Sequence, residues 1–151
     1  MFRGANKVTL DAKGRMAMPA RYRDTLVERS EGRLVATVDR ADRCLLIYPL
    51  PDWEEIERKL MRLPTLNPQA RRLQRLMVGH ATDLEFDSHG RVLVPPKLRE
   101  YAGLTRQAML IGQGSRFELW DEQHWNERRD AWLQAGEEPG ELPAELGQLS
   151  L

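Results

Sequence analysis

The sequence predicts an α+β, β-rich fold: two tandem ββαββ units interlocked as one pseudo-twofold barrel with flanking helices. Three observations predict it. Residues 10–26, LDAKGRMAMPARYRDTL, recur at 86–100 as FDSHGRVLVPPKLRE, in a register of 76 residues. Each copy places turn residues between two β-prone runs and a proline before a helical stretch. Each copy also carries an unbroken apolar triplet, MAM or VLV. Such a triplet suggests burial on both faces, which a unit of about 50 residues cannot supply alone. Two units with interlocking hairpins can.

The repeat is specific in its residue types. Asp11 matches Asp87, Gly14 matches Gly90, Arg15 matches Arg91 and Pro19 matches Pro95. Arg21 matches Lys97, Arg23 matches Arg99 and Asp24 matches Glu100. A fainter echo relates CLLIYPLPDW (44–53) to FELWDEQHW (117–125).

Within a unit, Lys7 to Leu10 and Ala81 to Phe86 read as first strands. The Asp-x-x-Gly that follows is a turn: Asp opens it and caps a backbone N–H, and Gly supplies positive φ. Second strands cover Arg15–Met18 and Arg91–Val94. Each ends at a proline suited to a helix start. Short helices follow, from Ala20 to about Glu28 and from Pro96 to about Ala102, with Gly103 as a stop. Two more strands close each unit: Leu34–Val38 with Leu45–Tyr48, and Ala108–Ile111 with Arg116–Trp120.

Helices link and extend the units. Asp52 and Glu55 read as an acidic capping box, and Trp53, Ile56, Leu60 and Leu63 share one helical face. Asn67-Pro68 opens a second helix with an apolar stripe of Ala70, Leu73, Leu76 and Met77. Arg71, Arg72 and Arg75 lie outside that stripe, as a solvated face or a partner surface, and Gly79 closes the helix. Asp121 caps a third helix whose Trp125 and Trp132 read as core or subunit-interface anchors. The expected organisation is a first unit over 5–52, a helical linker over 53–80 and a second unit over 81–124. A C-terminal helix over 125–135 and an acidic tail over 136–151 complete it; the tail is read as disordered from its Glu, Gly and Pro content.

Net charge is zero, yet its distribution favours a polyanionic partner. Residues 136–151 hold four Glu and no Lys or Arg, so the rest of the chain carries 23 basic and 19 acidic residues. Residues 1–23 set Arg3, Lys7, Lys13, Arg15, Arg21 and Arg23 against Asp11 alone. No apolar run approaches the roughly 20 residues of a membrane span, and the N-terminus lacks the apolar core of a signal peptide. One cysteine, Cys44, fits a reducing compartment. These features predict a cytoplasmic protein.

The chemistry-bearing residue types are scattered. His80, His89, His124 and Cys44 show no metal-ligand spacing. Gly112-Gln113-Gly114 lacks the third glycine of a nucleotide fingerprint, since Phe117 stands there. No serine sits in a nucleophile elbow. The sequence therefore predicts no catalytic residue, metal, cofactor or small-molecule ligand. What remains is the loop Lys13-Gly14-Arg15. Taken as extended, it projects Lys13 and Arg15 to the same side. Gly14 lets backbone approach a phosphate, and arginine can bond two acceptors of guanine. Arg21 and Arg23, at the start of the following helix, can reach flanking phosphates. A plain turn kept soluble by its cations also accounts for one loop. Its recurrence favours the DNA reading.

These residues carry a resemblance. The D-x-x-G-R-x-x-x-P units resemble the AbrB-like (SpoVT-AbrB) swapped-hairpin DNA-binding fold. Two in one chain resemble the MraZ family, as do the opening MFRG, LDAKGR-x-x-x-P-x-R-Y-R, CLLIYPLPDWE and LIGQ…FELWD. The resemblance spans about residues 1–130. It implies a nucleoid-associated transcriptional regulator, a homo-oligomeric ring that binds direct repeats in double-stranded DNA upstream of bacterial cell-division and cell-wall genes. Its DNA-contacting positions carry over to Lys13 and Arg15 with Gly14, and then to Arg3, Arg21 and Arg23. In the second unit His89 replaces the lysine. That loop, with His89, Arg91, Lys97 and Arg99, is read as weaker or structural. An alternative makes the basic loop an antitoxin-like docking site for an acidic protein. Another makes the chain a structural ring.

Overall fold

The computed structural model describes residues 1–135 and Leu149. The expected acidic tail thus lies almost wholly outside the described residues. The fold is α+β, as the sequence predicts, with two sheets and five helices among the described residues.

The first unit comprises β1 (Phe2–Thr9), β2 (Arg15–Ala17), α1 (Ala20–Ser30), β3 (Arg33–Val38) and β4 (Leu45–Pro49). Helices α2 (Leu50–Met61) and α3 (Pro68–Met77) follow. The second unit comprises β5 (Thr82–Glu85), β6 (Arg91–Leu93), α4 (Pro96–Ala102), β7 (Gln107–Gly114) and β8 (Arg116–Asp121), and α5 (Glu122–Ala135) ends it.

The larger sheet has the order β1-β7-β8-β4-β3-β5, all antiparallel. Exchanging the units reverses this order onto itself. Each unit's first strand therefore pairs with the other unit: β1 with β7, and β5 with β3. The short strands β2 and β6 pair with each other around Met16 and Val92. At the sheet's centre β4 meets β8 in a register centred on Leu46 and Glu118. The pseudo-twofold axis runs through these two pairings, and the hairpins interlock as expected.

One expectation behind that arrangement fails. The MAM and VLV triplets are not buried on both faces. Met16, Met18, Val92 and Val94 are buried, whereas Ala17 and Leu93 are exposed. The strands alternate normally, and apolar residues occupy both faces. Interlocking follows instead from the edges each hairpin offers the other unit.

Alternation also sorts the core. Leu34, Ala36, Leu45, Ile47, Leu110, Phe117 and Leu119 face one side of the sheet and pack with Met16, Leu26, Val92 and Leu98 of both units. Val35, Leu46 and Tyr48 face the other side, under Trp53 and Leu60 of α2. Ile111 and Trp120 lie under α5, against Trp125. Trp132 extends that aromatic group at 6.1 Å from Trp120 and is 43% exposed, so it is an edge residue and not a core one. Fully burying a leucine, valine, methionine or phenylalanine side chain contributes roughly 1.5–3 kcal/mol, so the shared core ties the units strongly.

Two of the expected helix caps form and one does not. Asn67 caps α3 as expected, its carboxamide oxygen accepting from the amides of Gln69 and Ala70 at 2.9 and 3.1 Å. Asp121 likewise accepts from the His124 amide at 3.1 Å. The capping box at Asp52 does not form. Pro49 precedes the helix and α2 begins at Leu50, so Asp52 falls inside the first turn. There it accepts two hydrogen bonds from Arg29, at 2.7 and 2.9 Å.

Candidate nucleic-acid interface

The two repeated turns are built alike. In the first, the Asp11 carboxylate accepts from the amides of Lys13 and Arg15 at 3.0 and 2.9 Å. It also accepts from Arg15 Nε at 2.6 Å. In the second, Asp87 accepts from the amides of His89 and Arg91 at 2.8 and 3.0 Å, and from Arg91 Nε at 3.0 Å. The arginine amides are the main cause that lowers both carboxyl pKa values, with burial opposing. Asp11 is held at about 2. Each carboxylate thus fixes its arginine by Nε and leaves the terminal nitrogens to other partners.

Glycine permits the turns. Gly14 and Gly90 adopt φ of +88° and +73°, and Cβ-bearing residues rarely do. Pairing of β2 with β6 then brings the loops together. Arg15 stands opposite Leu93, and Arg91 opposite Ala17, on one outward ribbon face. Arg91 Nη1 comes within 3.9 Å of the Asp11 carboxylate. The second loop is therefore geometrically equal to the first, and the sequence reading of it as weaker rests on His89 alone.

Other expected residues divide. Arg23 and Arg99 join the loops by crossing units: Arg23 packs over Gly90, and Arg99 over Gly14. Arg99 Nε also donates to the Val94 carbonyl at 3.0 Å. Both therefore brace the turns. Lys13, His89 and Lys97 are exposed. Lys13 sits in the turn itself and not in an extended segment, so alternation does not set its side. Arg3 and Arg21 form a separate group. Arg3 lies six residues before Thr9, roughly 20 Å up β1. Arg21 donates to Asn6 at 2.8 Å and to the Tyr22 hydroxyl at 2.6 Å, and that hydroxyl donates to the Arg3 carbonyl.

Sequence reasoning missed one neighbour. Arg106 lines a recess with Thr9, Leu10, Asp11 and Ala12, and its carbonyl accepts from the Leu10 amide at 2.8 Å. The Phe86 amide and Gly32 carbonyl repeat this link in the other unit, at 3.3 Å. Neither partner is near its loop in sequence, and only the strand exchange places them. Among the described residues no helix is long and apolar enough to cross a membrane.

A two-stranded ribbon tipped with paired arginines is a shape that nucleic-acid-binding families use, and comparison with known proteins points the same way. The family model described as "MraZ protein, putative antitoxin-like" matches residues 1–76 and again 77–136. A protein of Halorhodospira halophila named transcriptional regulator MraZ is 59% identical over 152 residues, covering all of both chains. Namesakes from Pseudomonas aeruginosa and Thioalkalivibrio sulfidiphilus are 58% and 59% identical over 151 residues, again covering both chains in full. The chain belongs to the MraZ family of transcriptional regulators.

Proposed function

We propose that this chain regulates transcription by binding double-stranded DNA sequence-specifically, with the β2–β6 ribbon in the major groove. The observation that carries this reading is the pairing of the two loops, each with an arginine fixed at Nε. Such a guanidinium is preoriented for the N7 and O6 acceptors of guanine. Lys13 and Lys97 serve the phosphates, and Gly14 allows close backbone approach. Arg23 and Arg99 hold the turns in shape. Arg3 and Arg21 serve flanking DNA or a neighbouring copy.

One ribbon offers few contacts. A homo-oligomeric ring presenting several ribbons to direct repeats gains avidity, and repeat spacing then contributes to specificity. The family resemblance supports this assembly, with targets upstream of cell-division and cell-wall genes, in a cytoplasmic, nucleoid-associated protein.

Selecting bound DNA from a random pool tests the reading. The wild type should enrich a repeated guanine-containing element. Arg15→Ala and Arg91→Ala should each weaken binding about 10- to 100-fold without changing oligomeric mass. No enrichment, or variants as tight as wild type, overturns it. The family description as antitoxin-like favours a second reading, in which the loops dock an acidic protein. A stoichiometric protein partner that displaces DNA would support that one.

A further inference from the structure

The outward face of the β2–β6 ribbon is not uniformly cationic. Arg15, Ala17, Arg91 and Leu93 share it, because directly paired residues lie on the same side of a ladder. Leu93 is 50% exposed there, directly opposite Arg15. Its counterpart by the repeat is Ala17, opposite Arg91. The next residues along each strand, Met16 and Val92, are completely buried. A large aliphatic side chain is thus held in solvent next to two arginine positions, on strands whose alternate residues are buried in the core beneath.

The only methyl group on the floor of a major groove is the C5-methyl of thymine. We infer that Leu93 reads a thymine methyl beside the guanine read by Arg15. This rests on the DNA reading above. The flanking Arg15 and Arg91 select a polyanion over an apolar protein surface as the occupant of this face. Paired residues across a ladder lie about 5 Å apart, so the two contacted bases fall within one or two base pairs of each other. Ala17 presents only a methyl group beside Arg91, so its apolar contact is smaller than the one Leu93 makes beside Arg15. The pseudo-twofold ribbon therefore reads an asymmetric element, which suits direct repeats better than palindromes.

Deoxyuridine lacks only the methyl of thymidine, so replacing thymidines one at a time in the selected element tests this. For the full-length wild type, one position should lose about three- to fivefold in affinity. That position should lie within two base pairs of the guanine whose 7-deaza form no longer distinguishes wild type from Arg15→Ala. Leu93→Ser should bind the thymidine element that much more weakly and be indifferent to deoxyuridine, whereas Leu93→Met should keep the preference. Ala17→Leu should acquire a second sensitive thymidine beside the Arg91 guanine. If the wild type binds the selected element but every deoxyuridine substitution is neutral, the Leu93 inference fails and the DNA reading stands. If no element is selected, the DNA reading itself fails. Loss of assembly in Leu93→Ser would place the residue at a contact between copies and overturn the inference.

Discussion

The backbone of Gly14 lies under the side chain of Arg99, so close that a methyl on Gly14 would fall 2.6 Å from Arg99 Nε and Cζ. Gly90 and Arg23 repeat the relationship, at 2.4 Å to Nη1. Each turn is therefore clamped by a helix of the other unit. Backbone hydrogen bonds reinforce the exchange: the Val94 amide donates to the Gly14 carbonyl at 2.9 Å, and the Met18 amide to the Gly90 carbonyl at 3.3 Å.

This clamp predicts the behaviour of Gly14→Ala. The new methyl forces positive φ on a Cβ-bearing residue and displaces Arg99 from the Val94 carbonyl. The expected loss is roughly 2–4 kcal/mol of stability in urea unfolding. Adding Arg99→Ala removes the clash but not the backbone strain. The double variant should be more stable than the sum of the singles by about 1 kcal/mol. Simple additivity would mean that the arginine does not press on the turn.

Asp11 predicts a pH dependence for the first loop. A carboxyl with a depressed folded pKa stabilises above its unfolded value, and this is lost as pH falls through the folded value. Ordering by Asp11 is thus complete above its ordinary 3.8 and is lost between there and about 2. The Asp11 carboxyl carbon and the amides of Lys13 and Arg15 should titrate together near 2 by NMR. Asp11→Asn should abolish that transition. A midpoint at the ordinary value would show that the amides do not hold the carboxylate.

Much of this was legible in the sequence, for identifiable reasons. The repeat of Asp, Gly, Arg and Pro places both turns, and the Asp-x-x-Gly chemistry accounts for hydrogen bonds that form in both. The length of β1 was not legible: Phe2–Thr9 extends well before the expected Lys7, because Arg3, Gly4 and Asn6 look like loop. Pairing with β7 of the other unit keeps them extended. The Arg23 and Arg99 clamps were hidden for the same reason, since contact between units leaves no local spacing. The exposure of Ala17 and Leu93 was not legible either, because an apolar residue on an outward face has the same sequence signature as a buried one.

Lys13 and Arg15 should differ in how they fail. In the proposed DNA complex Lys13→Ala removes a phosphate-directed charge, so affinity should fall evenly across DNA sequences and the salt slope should drop by about 1. Arg15→Ala should cost about 1–3 kcal/mol and relax preference at one guanine. Titrations at several salt concentrations, on selected and scrambled DNA, separate the two. Equal losses on both DNAs for Arg15→Ala would make it a phosphate contact.

Glu118 sits on the pseudo-twofold axis opposite Leu46, at the centre of the sheet. Burial raises its carboxyl pKa, and nearby Asp39 and Asp42 add to this, against Trp120 and Arg116. Trp120 Nε1 donates to Glu118 Oε1 at 3.0 Å, a bond that glutamine can also accept. Glu118→Gln should therefore raise the melting temperature at pH 7. The sign follows from linkage: a raised folded pKa costs nothing below the ordinary 4.5. The cost grows as pH rises toward the folded value and is constant beyond it. The gain of the glutamine variant should follow that course, vanishing at acidic pH. A lower melting temperature at pH 7 would mean that the charge on Glu118 attracts Arg116, two residues back on the same strand, and that this attraction outweighs its desolvation.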